Sequence, residues 1–216
     1  TYAKAGVVGV TTNNLSAIND ALASAVVDGT KANTPAKLQA IVNAYNKVLG
    51  AADGVGGNNT GASGASAADY ILLGVTGVDA AVAALLSDVV DGKSLDQVAT
   101  VANLQALTNA VQAAMNGNPT QAQLLALGVT GLTSANFGSV QAALAAALGA
   151  TELNTLAGLQ TVVTEAINAL GAIEAAAQGN TATATTPSLA QYDALGVTGV
   201  TAQNLASVND ALNDAD

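Results

Sequence analysis

The sequence predicts an all-α protein built as a tandem array of three-helix bundle repeats, with three units and a partial fourth. Three observations lead there. A motif recurs four times, as AGVVGVTTNNLSAINDAL from Ala5, LGVTGVDAAVAALLSDVV from Leu73, LGVTGLTSANFGSVQAAL from Leu127 and LGVTGVTAQNLASVNDAL from Leu195. Each copy places apolar residues at helical spacing. A second pattern, LQAIVNAY from Leu38, LQALTNAV from Leu104 and LQTVVTEA from Leu159, follows the first three copies.

Each unit opens on a short helix. Its starts are marked by Ser66, by the T-x-x-Q box Thr120 to Gln123 and by Ser188 to Gln191, where a hydroxyl can accept from an amide left unpaired in the first turn. Tyr2, Tyr70, Leu124 and Tyr192 share one place on it, and all four tyrosines, Tyr45 included, fall on inward faces.

The short helix ends in a glycine, at Gly6, Gly74, Gly128 or Gly196, giving spacings of 68, 54 and 68 residues. Glycine adopts a left-handed conformation after a helix without a Cβ penalty, so GVTGV reads as a corner between helices. Thr11, Asp79, Thr133 and Thr201 lie five residues on and read as N-caps of the next helix. That helix carries the stripes Leu15, Ile18, Leu22; Ala83, Leu86, Val90; Phe137, Val140, Leu144; and Leu205, Val208, Leu212. The long third helix repeats Leu38, Ile41, Tyr45, Leu49 as Leu104, Leu107, Val111, Met115 and Leu159, Val162, Ala166, Leu170, opened by Thr34 before Pro35 and by the S-x-x-Q box Ser94 to Gln97.

The expected helices are 12–26, 34–52, 66–73, 79–90, 94–116, 120–127, 134–148, 152–178, 187–195 and 202–213. The repeat units fall at 1–57, 58–117, 118–180 and 181–216. Gly54 to Ser66 and Gln178 to Ser188 read as flexible linkers and Asn116 to Thr120 as a tight one, which favours beads between units one and two and between three and four. The register also predicts an excised piece of a longer array, with Thr1 inside a short helix and the fourth unit lacking its Leu-Gln helix. Residues 181–216 should then pack on unit three, be covered by a neighbouring chain, or be poorly ordered.

Composition excludes much chemistry. The 216 residues contain no Cys, His, Trp or Arg, which removes thiolate nucleophiles, disulfides, imidazole bases and zinc-finger ligands. The net charge is −10, and all five lysines lie at or before Lys93, so trypsin has no site beyond it. Nucleic acids and anionic membranes call for clustered cations, which are absent. The mean hydropathy of +0.41 reflects 50 alanines, and no uninterrupted apolar run reaches membrane-spanning length.

Candidate sites reduce to structural roles. GVTGV lacks the lysine of a phosphate loop. Asp28, Asp53 and Asp91 precede glycines but open no D-x-D-x-D-G calcium loop and read as caps. Asn13, Asn14, Asn136 and Asn204 read as caps or solvated residues, and Asp20 and Asp210 as isolated surface carboxylates. No catalytic, cofactor-binding or metal-ligating residue is assigned, and the chain is expected not to be an enzyme.

On the motifs LGVTGVTAQNLASVNDAL and TPAKLQAIVNAYNKVL, the chain resembles the Ala- and Thr-rich tandem helical repeats of very large secreted or surface-exposed bacterial proteins, including biofilm-type adhesins. The resemblance implies an extracellular or cell-surface location, many tandem copies and a role as spacer, stalk or fibre. It brings no catalytic residues, and unit two departs from it, with DAAVAALL in place of T-x-x-N-L. The expected partners are other repeat units of the same or neighbouring chains. The alternative is a helical-bundle module that binds a host or matrix protein.

Overall fold

The computed structural model describes residues 1–58, 64–177 and 186–215. Among them are ten α-helices, three short 3-10 turns and no strand, so the protein is all-α. The chain divides into two compact units, Thr1–Gln112 and Ala113–Asp216.

The first unit holds α1 (Leu15–Ala23), α2 (Pro35–Ala51), α3 (Ala67–Leu72), α4 (Ala80–Asp91) and most of α5 (Val101–Met115), with 3-10 turns at Tyr2–Ala5 and Leu95–Val98. Its central element is α2. Pro35 at the first helical position and the Thr34 hydroxyl, which accepts from the Lys37 amide, set its start. Its buried residues Ile41, Val42, Ala44, Tyr45 and Val48 form a face wider than one stripe, because α2 packs on α1 and also on α3 and α4. Polar bonds cross the same boundary. The Lys47 ammonium lies 2.8 Å from Asp69, the Tyr45 hydroxyl donates to the Val98 carbonyl at 3.0 Å, and the Val101 amide donates to Asp20 at 2.7 Å. The first two sequence repeats are therefore packed together, contrary to the expectation of beads. Linkers report only the shortest path between elements, whereas α2 has a second apolar side that must be covered.

The second unit holds α6 (Gln121–Leu127), α7 (Phe137–Ala146), a 3-10 turn at Thr151–Asn154, α8 (Leu156–Ala176), α9 (Leu189–Ala194) and α10 (Leu205–Asn213). Here α8 packs on α7 and also on α9 and α10, so the residues from Leu189 onward lie against the preceding helix. The buried positions Leu159, Val163, Ala166, Ala169 and Ala176 show that Val163, not Val162, faces inward, and the alanines permit close approach.

Of the expected linkers, 59–63 and 178–185 lie outside the described residues. The expected helices 94–116 and 152–178 are each divided. Ser94 and Gln97 close a single 3-10 turn, and the helix proper begins after Thr100, whose hydroxyl accepts from the Asn103 amide. Thr155 takes an extended conformation (φ −135°, ψ 152°) and caps α8 by accepting from the Gly158 amide. Thr34, Thr100 and Thr155 each stand four residues before the Leu of Leu-Gln. The repeat thus encodes its own cap, where the apolar stripe alone suggested one unbroken helix.

Candidate functional site

The corner is where the chain concentrates its polar chemistry. Both glycines of every copy have positive φ, between 71° and 98°. The first closes the short helix: the Val7, Val75, Val129 and Val197 amides bond back to the carbonyls of Tyr2, Tyr70, Leu124 and Tyr192 at 3.0–3.1 Å. Of the two residues between the glycines, the second, Val8, Thr76, Thr130 or Thr198, has an amide and a carbonyl that the backbone of the flanking helices does not satisfy.

In three copies the glutamine of Leu-Gln supplies both partners. The Gln39 carboxamide accepts from the Val8 amide at 2.8 Å and donates to the Val8 carbonyl at 3.0 Å. Gln105 does the same at Thr76 (2.8 and 3.2 Å), and Gln160 at Thr130 (2.8 and 3.3 Å). The carboxamide also donates one turn further along its own helix, to Asn43, Asn109 or Thr164. The sequence signature is Leu-Gln-x-x-x-Asn/Thr, repeated three times. It was visible in the sequence as repetition, but its function requires knowing that position 39 faces position 8.

A second device starts the helix after the corner. Thr11, Thr133 and Thr201 are not themselves its N-caps; those are Asn14, Asn136 and Asn204, three residues later. The asparagine carboxamide accepts from the threonine amide at 2.6–2.8 Å and donates to the carbonyl of Gly9, Gly131 or Gly199 at 2.8–2.9 Å. This inserts an extra turn before the helix, which is why α1, α7 and α10 begin later than the stripe alone suggested. Asn14 is buried and so is structural, not a solvated residue. In the second copy Val82 replaces the asparagine, Asp79 caps α4 directly by accepting from the Val82 amide, and Gln112 donates to the Gly77 carbonyl at 2.8 Å. The departure from T-x-x-N is compensated from α5.

A third bond ties the helix after the corner to the residue before the short helix. Ser87 donates to the Ala65 carbonyl, Gln141 to Pro119 and Asn209 to Pro187, at 2.9, 3.4 and 2.9 Å. The tyrosines meet the same positions: the Tyr2 hydroxyl donates to Asn19 and that of Tyr192 to Asn209. No family model, curated protein or solved structure matches this chain.

The acidic positions are occupied by backbone donors. Asp28 accepts from the Thr30 amide and hydroxyl and the Lys31 amide, and these bonds hold its carboxyl below the usual range. Asp53 accepts from the Val55 amide and the Asn58 carboxamide, with the same effect. Asp91 is buried and accepts from the Gly57 and Asn58 amides. Asp20 is not isolated, since it accepts from Val101 across the packed helices; Asp210 lies exposed on α10. Among the described residues no three acidic side chains cluster as metal ligands would.

One helix bears on membranes. Over an 18-residue window of its 21 residues α8 reaches a mean hydropathy of 1.3, long and apolar enough to cross a bilayer by length and composition, although the sequence shows no uninterrupted apolar run of that length. It also carries Glu165 and Glu174, and it packs against α7, α9 and α10.

Proposed function

We propose that this chain is a non-catalytic structural segment, a tandem array of three-helix repeat units that serves as spacer, stalk or fibre element of a bacterial extracellular surface protein. The observation that supports the reading is the glutamine clip. At three corners, the backbone polar groups left open by two left-handed glycines are satisfied by a side chain of the same chain, with the same geometry. Polar side chains convergent on a corner are thereby committed to holding helices in register, which is what a repeated mechanical unit requires. The acidic surface and absence of thiols suit an exposed, soluble array.

The test is length. Genes encoding two, three and four copies in tandem are expressed, and the maximum dimension is measured by small-angle X-ray scattering. A spacer gives a dimension that grows in proportion to copy number, with no saturable binding to immobilised matrix or serum proteins. Particles whose dimension barely changes with copy number would refute the spacer. Saturable binding abolished by a surface substitution would favour the host-binding module instead.

A further inference from the structure

The fourth corner has the backbone of the other three, but among the described residues no glutamine of a Leu-Gln helix clips it. Val7, Val75 and Val129 are 1–2% exposed, whereas the equivalent Val197 is 40% exposed. Ile18, Leu86 and Val140 are fully buried, whereas the equivalent Val208 is only half-buried. Among the described residues no side chain meets the Thr198 amide or carbonyl, although Gly196, Gly199 and Asn204 hold them in the conformation that the clipped corners share.

We propose that Val197, Thr198 and Val208 form a docking site for an amphipathic helix of the pattern Leu-Gln-x-x-x-Asn/Thr, whose glutamine clips the Thr198 backbone. An amide and a carbonyl of one residue must be met together. A carboxamide presents a donor and an acceptor on two neighbouring atoms, whereas a hydroxyl carries both on a single oxygen and an ammonium, a carboxylate or a lipid chain lacks one or both. A purely apolar cover would bury both groups unpaired. The leucine preceding the glutamine then falls toward the Val197 and Val208 side, as Leu104 and Leu159 are buried beside their corners. A second folded copy of the chain is not the occupant, because Gln39, Gln105 and Gln160 are each engaged at their own corner.

The inference rests on reading the four corners as equivalent, and the experiment separates the two. The probe is a synthetic peptide of residues 149–177, the chain's own Leu-Gln helix with its lead-in, added to the isotope-labelled full chain. At saturation the Thr198 amide should exchange with solvent at least about tenfold more slowly, and a peptide carrying Gln160→Ala should bind about tenfold more weakly. Val197→Asp in the chain should abolish the protection. The docking site is overturned if the peptide does not bind up to millimolar concentration, if the Gln160→Ala peptide binds equally well, or if the chain alone protects Thr198 by self-association. The equivalence of corners is read separately at Thr130. Its amide should exchange about tenfold faster when Gln160→Ala is placed in the chain. No change there overturns the equivalence and the inference together, whereas a response at Thr130 without docking at Thr198 overturns the inference alone.

Discussion

At the scale of single residues, each corner depends on side chains whose value lies in the hydrogen bonds they make to backbone groups that the turn leaves open. Gln160→Ala removes both partners of the Thr130 backbone, at a site where solvent can partly replace them. The expected loss is about 1 kcal/mol, seen as a lower urea midpoint with an unchanged slope. Asn204→Ala removes the bonds to Thr201 and Gly199 and should cost about the same, as N-cap truncations do. Ser24 has the opposite sign. Its hydroxyl is buried without a partner and lies where a Cβ on Gly74 would sit, 2.5 Å away. Ser24→Ala removes an unsatisfied group and should raise stability by up to about 1 kcal/mol in the same urea assay, while Gly74→Ala strains the left-handed turn and collides with Ser24.

At the scale of elements, the contact of α3 with α2 rests on an ion pair with a pH signature. Burial raises the Asp69 carboxyl, but hydrogen bonds from Lys47 and Ser66 and the nearby ammonium outweigh it and hold the group below its ordinary range. A depressed carboxylate contributes stability that is present above its unfolded value, about 3.9, and is lost as pH falls through the folded value. Between pH 6 and pH 3 the urea midpoint of the protein should therefore fall further than that of Asp69→Asn; equal slopes would show that the pair contributes nothing. The start of α8 shows a different constraint. A Cβ on Gly158 would run into the Glu152 carbonyl of the preceding 3-10 turn, a backbone group that cannot swing aside. Gly158→Ala should therefore destabilise more than Gly128→Ala, whose Cβ meets nothing and whose cost is backbone strain alone. Neither position could be ranked from sequence. Helix number, the glycine corners and the capping boxes at Thr120 and Ser188 were legible there, because they are written in residues within a few positions of each other. The glutamine clip, the Asp20–Val101 bond and the second packed side of α2 were not, because each joins residues far apart in the chain, 22 from Lys47 to Asp69 and 81 from Asp20 to Val101, whose pairing depends on how the helices lie.

At the scale of the whole chain, the repeats of Thr1–Gln112 either melt as one body or come apart at the linker. Bonds spanning 22, 53 and 81 residues, from Lys47 to Asp69, Tyr45 to Val98 and Val101 to Asp20, argue for one body. The buried phenols make this measurable. Burial pushes the Tyr70 hydroxyl up to about 12 and that of Tyr45 higher still. An unfolded tyrosine ionises near about 10. The folded chain therefore retains protons that the unfolded chain would release, so this stability is fully present below about pH 10 and is lost as pH rises through the folded values. Tyrosinate absorbance and loss of helical circular dichroism should rise together in one alkaline transition. Tyr45→Phe removes the bond to Val98, costing about 1 kcal/mol at neutral pH. It also removes one phenol from the linkage, so the decline of stability above pH 10 should be shallower than in the parent. If the unit is one body, hydrogen exchange in Tyr45→Phe should quicken in α4 and α5 as much as in α1 and α2. Acceleration confined to α1 and α2 would mean that the repeats unfold as separate beads despite the bonds between them.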